Sequence, residues 1–122
     1  MATVTRVLPW RRAANRPASA EIAELLAEFT KHHPKEDTGL IERAFGIADG
    51  AHAGQRRKSG EPYIRHPVAV ATVVAQQGLD DVTIAAALLH DAVEDTSVSL
   101  EDLEKEFDAE LAMIVDGVTK LD

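Results

Sequence analysis

The sequence predicts an all-α fold, and three observations support this prediction. From Ser19 onward, apolar residues recur at helical spacing through most of the chain. No segment alternates polar and apolar residues convincingly over six or more positions, as a half-buried strand would. The 122 residues include 20 alanines and five aromatic residues, which favours thin, closely packed helices over a sheet sandwich. A chain of this length forms one domain or part of one.

The first two helices are predicted between Ser19 and Gly54. Ser19 is placed as the N-cap of the first helix, which ends at the segment 32–34. The second helix follows Asp37 and ends near the glycines at 50–54. The predicted apolar faces are Ile22, Leu25, Leu26 and Phe29 in the first helix and Leu40, Ile41, Ala44, Phe45 and Ala48 in the second.

The third and fourth helices are predicted on either side of Gly78. Pro67 suits the first turn of the third helix, because its ring fixes φ and the N–H that it lacks is not needed there. The fourth helix opens at Asp80 or Asp81. Its segment 84–89 is apolar on nearly every side, so this helix is expected to form the buried centre of a bundle.

Two more helices complete a predicted bundle of about six. Ser99, with Asp102 three positions on, forms a weak capping box for the fifth helix. The sixth begins near Asp108. Its expected inner face is Leu111, Ala112, Ile114, Val115 and Val118.

Charge and composition exclude several classes of protein. The net charge is −8, whereas a general nucleic-acid coat needs surplus positive charge. The lack of cysteine excludes disulfides and thiolate metal sites. Apolar runs are far shorter than the roughly 18 residues of a membrane span, so we expect a soluble cytoplasmic protein. Residues 1–19 contain four arginines and no acid, and they are interpreted as a flexible basic leader.

Polar residues stand at the end of the apolar fourth helix, where burial is expected. His90 and Asp91 follow directly after Leu89, and Glu94 and Asp95 come about one turn later. Residues three and four apart share a helix face, so these side chains lie close together. Imidazole nitrogen and carboxylate oxygen are both good ligands for a divalent cation. A metal site and a merely solvated helix end are both compatible with this pattern.

A second histidine and a basic loop precede this helix in the chain. His66 stands before Pro67, so an extended backbone is expected there, with the side chain directed off a helix start. The loop 56–60 carries two arginines and a lysine, which suit phosphate groups and planar bases. The same arginines could instead pair with the acidic surface of residues 80–122.

Three segments in this order resemble the hydrolase domain of RelA/SpoT enzymes. They are 52–67 (HAGQRRKSGEPYIRHP), 86–96 (AALLHDAVEDT) and 115–121 (VDGVTKL). The resemblance covers about residues 37–122 and implies an α-helical HD-type fold. It also implies the Mn²⁺-dependent removal of the 3′-pyrophosphate from the alarmones ppGpp and pppGpp, which gives GDP or GTP and pyrophosphate in the stringent response. The parent of such a domain can also be a GTP pyrophosphokinase.

The resemblance implies a role for each matching position. The implied metal ligands are His66, His90 and Asp91. Glu94 and Asp95 are the implied catalytic acidic pair that positions and activates water. The implied nucleotide pocket is Arg57, Lys58 and Ser59, with Arg57 against the base. His52 and Thr96 lie within the motifs and are assigned supporting roles only.

Members of this family place a further Asp ligand on a helix well downstream, and Asp122 does not match it. Residues 20–122 are therefore expected to be the N-terminal part of a hydrolase domain that continues in its parent. A non-catalytic nucleotide-binding or interaction module is the alternative. A third interpretation is a bundle that self-associates through apolar surface left uncovered by missing helices. No nucleic-acid or membrane partner is expected.

Overall fold

The computed structural model describes residues 20–121, which form six α-helices after a short 3₁₀ turn. An isolated antiparallel bridge joins Arg56 and Pro62, and this part of the chain contains no strand, which confirms the all-α prediction. The basic segment 1–19, with Ser19, lies outside the described residues, as does Asp122. The elements are the turn Ala20–Ile22, α1 (Ala23–His32), α2 (Gly39–Ala51), α3 (Arg65–Gln76), α4 (Asp81–Asp95), α5 (Leu100–Glu106) and α6 (Ala109–Leu121).

Helix α4 lies at the centre of the bundle, as the sequence predicted. It packs against α2, α3 and α6. Leu88 and Leu89 have no solvent exposure, and burial of each contributes about 2 kcal/mol from the hydrophobic effect. The buried residues of α4 are Ile84, Ala85, Ala86, Leu88, Leu89 and Ala92. Because the surrounding helices fix this core, they also fix the position of the polar residues at the end of α4.

Helices α1 and α2 bury the apolar faces that the sequence predicted. Leu26 and Leu40 are half-buried and pack against the core from its edge. The 3₁₀ turn precedes α1, as is common at the first turn of a helix, so the α-helix itself begins at Ala23. Ile47, which the sequence did not single out, is buried beside them. The buried members of the predicted faces are Ile22, Leu25, Phe29, Ile41, Ala44, Phe45 and Ala48.

Helix α3 begins two residues before Pro67. The proline occupies the first turn, as predicted, and it is buried. The extended backbone predicted for His66 is wrong, because His66 lies within α3. Steric conflict with a following proline disfavours helical backbone without forbidding it. Here the packing of α3 against α1 and α4 outweighs that preference.

The start of α5 has the predicted capping box, and α6 begins directly after Asp108, as predicted. The Asp102 backbone N–H donates to the Ser99 hydroxyl oxygen at 3.1 Å, and the Ser99 N–H donates to the Asp102 carboxylate at 2.9 Å. This reciprocal pair is a complete capping box. The Leu111 N–H donates to the Asp108 carboxylate at 2.9 Å and so caps the start of α6.

The inner face of α6 is buried only in part. Leu111, Ala112 and Val115 are buried, whereas Ile114 and Val118 are half-buried and line an apolar groove of about 210 Å³ beside His90. Among the described residues, the large apolar side chains exposed to solvent are Val70, Val73, Leu79 and Met113. The expected self-association through uncovered apolar surface stays a prediction.

Within residues 20–121, none of the helices has the length and apolar character needed to cross a membrane.

The N-cap of α4, the helix that carries the polar cluster, should contribute measurably to the stability of the protein. The Asp80 carboxylate accepts hydrogen bonds from the Thr83 hydroxyl at 2.6 Å and the Thr83 N–H at 3.0 Å. Asp80→Ala should therefore lower the free energy of unfolding by about 1 kcal/mol. Asp80→Asn should retain most of that stability, because its amide oxygen also accepts. Urea unfolding followed by circular dichroism measures both, and equal stability of all three proteins would contradict the assignment.

Stability should also depend on pH through this cap. The hydrogen bonds from Thr83 lower the pKa of Asp80 below its usual 3.8. A lowered folded-state pKa stabilises the protein above the unfolded pKa, and this contribution is lost as the pH falls through the folded value. Above a pH of about 5, the difference in unfolding free energy between wild type and Asp80→Asn should be constant. Below that pH, the wild type should lose stability relative to the variant. A difference independent of pH would show that the carboxylate charge does not act at the cap.

Candidate metal centre and basic cleft

The last turns of α4 bring together three groups that can bind a metal ion. His90 Nδ1 lies 3.3 Å from Asp91 Oδ1, and His90 Nε2 lies 3.7 Å from Glu94 Oε2. One ligand atom from each of the three residues lies within 4.8 Å of the other two. His90 and Asp91 are mostly buried, with side-chain exposures of 16% and 17%. Two of the three predicted ligands, His90 and Asp91, belong to this group, whereas the third, His66, does not, and Glu94 takes its place.

The position of this cluster at the C-terminal end of a helix makes its negative charge costly. Asp91, Glu94 and Asp95 lie in the last five residues of α4. The C-terminal end of a helix carries about half a negative elementary charge, so three carboxylates there repel it and one another. Helix α4 has no basic residue in its last turn. A cation or a basic segment from elsewhere in the chain would offset this charge.

His66 approaches the cluster from α3. Its Nε2 atom lies 3.9 Å from Asp91 Oδ2, and its Nδ1 atom lies 3.4 Å from Arg57 Nη1. His66 thus stands between the acidic end of α4 and the basic loop. Glu94 is as close to His90 as His66 is to Asp91, so His66 and Glu94 are both candidates for the third metal ligand.

The loop that carries the basic residues is folded into a tight turn. The Gly60 N–H donates to the Arg57 carbonyl at 2.8 Å, and the Arg57 N–H donates to the Glu61 carbonyl at 2.9 Å. Gly60 has a φ of +90°, a conformation that is easily reached only without a Cβ atom. Arg56 Nη1 donates to the Gly60 carbonyl at 2.9 Å and braces the turn. Arg57, Lys58 and Ser59 are all exposed.

The loop and the start of α3 form one side of an open cleft of about 630 Å³. This volume is typical of small-molecule sites. Neither Arg56 nor Arg57 forms an ion pair with a carboxylate within residues 20–121, so the alternative pairing with the acidic surface is not observed in the described chain. The cleft is lined by Arg56, Arg57, Lys58, Ser59, Tyr63 and His66.

Tyr63, for which the sequence predicted no separate role, joins the basic loop to the acidic helix end. Its hydroxyl donates to Asp95 Oδ2 at 3.0 Å. Burial raises the pKa of Tyr63 to about 12, assisted by the Asp95 hydrogen bond and the Asp91 and Asp95 charges and opposed by Arg57. No spacing rule in the sequence relates positions 63 and 95, so this contact becomes visible only in the fold.

The two residues assigned supporting roles also hold the site together. His52 is buried, its Nδ1 atom lies 3.0 Å from Gln55 Oε1, and its ring stacks on that of Tyr63 at 4.6 Å between centroids. The Thr96 hydroxyl donates to the Ala92 carbonyl and accepts from the Val98 N–H at 3.2 Å. Thr96 therefore closes the end of α4 directly after the carboxylates.

The donor set fits a divalent cation. Ligand atoms placed about 2.1 Å from an ion at right angles are about 3.0 Å apart, and at tetrahedral angles about 3.4 Å apart. The distance of 3.3 Å between His90 Nδ1 and Asp91 Oδ1 falls in this range. Glu94 lies 3.7 Å from the other nitrogen of His90, Nε2, and His66 lies 3.9 Å from the other oxygen of Asp91, Oδ2. Mixed imidazole and carboxylate ligands suit manganese, iron, zinc or nickel.

Comparison with known proteins places these features in a family. Residues 44–122 match the family described as HD domain. The chain is 48% identical over 109 residues to a GTP pyrophosphokinase of Streptomyces coelicolor, a match that covers 87% of the chain. It is 48% identical over 89 residues, or 73% of the chain, to the bifunctional (p)ppGpp synthase/hydrolase SpoT of Escherichia coli K12. The chain belongs to the RelA/SpoT family of HD-domain proteins.

The family comparison also includes a protein named for the hydrolytic reaction. A guanosine-3′,5′-bis(diphosphate) 3′-pyrophosphohydrolase of Haemophilus influenzae is 60% identical over 76 residues, which is 62% of the chain. The match covers 13% of the length of the Streptomyces and Escherichia relatives and 11% of the Haemophilus relative. The RelA/SpoT resemblance and the HD-type fold expected from the sequence are confirmed.

Metal binding by the 122-residue chain tests the cluster directly. We expect His90→Ala and Asp91→Ala each to weaken Mn²⁺ binding at least tenfold, because each removes a ligand atom from a partly buried site. His32→Ala is the matched control, since His32 is exposed at the end of α1 and takes no part in the cluster. Isothermal titration calorimetry measures the affinities. Equal affinities for wild type and both site variants would place the metal elsewhere.

Proposed function

We propose that this chain provides the hydrolase site of a RelA/SpoT enzyme that removes the 3′-pyrophosphate from ppGpp and pppGpp. The observation that carries this proposal is that His66 connects the candidate metal cluster to the basic cleft. His66 lies within 4 Å of both Asp91 and Arg57. A pyrophosphorylated nucleotide needs both parts: cationic groups for its phosphates and an acidic end that can act on water. Membership of the family, with its hydrolase-named relatives, supports the same conclusion.

The metal-binding role is proposed for His66, His90 and Asp91, with Mn²⁺ as the ion. A bound divalent cation would lower the pKa of a coordinated water molecule and neutralise charge on the pyrophosphate. Buried Asp91 and His90 would hold their ligand atoms in place, because both sit on the rigid core helix α4. Glu94 lies close enough to His90 for its carboxylate to contribute at the same centre.

Glu94 and Asp95 are proposed as the acidic pair that orients and deprotonates water. Both are exposed at the mouth of the cluster, where solvent and substrate can reach them. Hydrolysis adds water across the ester that joins the 3′ oxygen to the pyrophosphate: hydroxyl goes to phosphorus and a proton goes to the departing oxygen. A carboxylate positioned beside the water accepts the first proton as general base.

Arg57, Lys58 and Ser59 are proposed to bind the nucleotide, with Arg57 against the guanine base. Their side chains line the cleft that ends at His66. A guanidinium group can stack on a planar base or bind phosphate through two hydrogen bonds, whereas lysine supplies a point charge for phosphate. A cytoplasmic location, where such nucleotides are dissolved, belongs to the same proposal.

A pyrophosphate-release assay on ppGpp with Mn²⁺ tests this function, in the chain and in its extension into any downstream natural sequence. We expect Glu94→Gln to lower kcat at least a hundredfold, because it removes a base without changing the shape of the side chain. Arg57→Ala should chiefly raise KM, since Arg57 contacts the nucleotide rather than the water.

His32→Ala and Lys35→Ala serve as controls of matching chemistry, because both residues are exposed and distant from the cleft. Both should retain wild-type rates. If the extended wild-type protein releases no pyrophosphate, or if Glu94→Gln leaves the rate unchanged, the proposed function is wrong. Nucleotide binding without release would favour the non-catalytic module instead.

A further inference from the structure

The Tyr63 hydroxyl group is the one hydrogen-bond donor that reaches Asp95 among the described residues. It donates to Asp95 Oδ2 at 3.0 Å across 32 positions of sequence. Asp95 itself is exposed, and it is the last residue of α4. No ion pair to Asp95 occurs within residues 20–121. Within residues 20–121, the tyrosine therefore makes the directional contact available to orient this carboxylate.

An exposed carboxylate at a helix C-terminus has little else to hold it. The helix dipole repels it there, and its side-chain rotamers are open to solvent. A general base, by contrast, must lie within hydrogen-bonding distance of the water that it deprotonates. A directional hydrogen bond to one carboxylate oxygen leaves the other oxygen free to face a water molecule.

The tyrosine ring is itself held in a fixed place. It stacks on the buried His52 ring with 4.6 Å between centroids and an interplanar angle of 23°. His52 is only 2% exposed, and its Nδ1 atom lies 3.0 Å from Gln55 Oε1. The Tyr63 backbone N–H donates to the Gln55 carbonyl at 3.0 Å. Both the ring and the backbone of Tyr63 are thus anchored to the same short segment, residues 52–55, which directly precedes the basic loop.

We infer that Tyr63 is a positioning residue, which orients the Asp95 carboxylate for catalysis and couples its orientation to the nucleotide-binding loop. This inference rests on the proposed function and deepens it. A buried histidine holds the tyrosine ring, the tyrosine hydroxyl holds the carboxylate, and the carboxylate acts on water. Tyr63 also lines the cleft beside Arg57 and Lys58, so the residue that holds the carboxylate belongs to the same surface that contacts the nucleotide.

Steady-state ppGpp hydrolysis by Tyr63→Phe tests the positioning role, in the same extended protein as above. The variant keeps the aromatic ring and its stacking on His52 and loses only the hydroxyl. We expect kcat to fall about tenfold with KM within a factor of two of wild type, because one hydrogen bond to a charged group is removed from the step that follows binding. An unchanged kcat would overturn the inference.

A double-variant cycle separates positioning from general packing. In an Asp95→Asn background, Tyr63→Phe should cause no further loss of kcat, because the tyrosine acts through the carboxylate. If the two substitutions lower kcat by factors that multiply in the double variant, Tyr63 acts independently of Asp95, and the inference is overturned.

A spectroscopic measurement on the 122-residue chain tests the Tyr63–Asp95 contact without relying on enzyme activity. Failure of the inference can therefore be distinguished from failure of the proposed function. Tyr63 is the only tyrosine, so the ultraviolet absorbance of tyrosinate reports it alone. Asp95→Asn should shift its titration midpoint downward from about 12. The charged groups around it are Asp91, Asp95 and Arg57. An unshifted midpoint means that the bond is absent and overturns the inference, whereas an inactive wild-type enzyme with a shifted midpoint overturns the proposed function.

Discussion

The concentration of three carboxylates at the C-terminal end of a buried helix is the constraint on which the rest of the site depends. Helix α4 is apolar on nearly every side in its middle turns, where it forms the centre of the bundle, and its polar residues stand at its two ends. The three carboxylates lie in its last turns. At that end the helix dipole adds to the negative charge. An imidazole from α3 and a basic turn from the loop before α3 lie next to this negative charge. Opposite charges are thus placed side by side for a structural reason, and the same arrangement suits a metal ion and a phosphorylated ligand.

Within residues 20–121, the contacts that link the acidic and basic halves start in residues 52–66. His66 lies between Asp91 and Arg57, and Tyr63 reaches Asp95. His52 supports Tyr63 from the buried side. Because Gly60 turns the chain back and Arg56 braces the turn, the loop has a defined shape before any ligand arrives. A preformed loop loses less conformational entropy when it binds a nucleotide.

Much of this architecture could be predicted from the sequence, because helix periodicity and capping chemistry are local. The capping box of α5 and the central place of α4 follow from neighbouring residues. The helical backbone of His66 could not be predicted in this way, since tertiary packing overrides the bias that Pro67 imposes. His90 and Asp91 were predictable as a pair because they are adjacent. The contact between Tyr63 and Asp95 was not, because it depends on how the loop and α4 pack across the bundle.

The central claim is that one divalent ion binds at the end of α4. Crystals of the chain soaked in Mn²⁺ and measured at a wavelength where manganese scatters anomalously test it most directly. The account predicts one strong anomalous peak within about 2.3 Å of a His90 nitrogen and an Asp91 oxygen, with His66 or Glu94 as a further ligand. An anomalous map with no peak at this position, from crystals in which the ion occupies other sites, would contradict it.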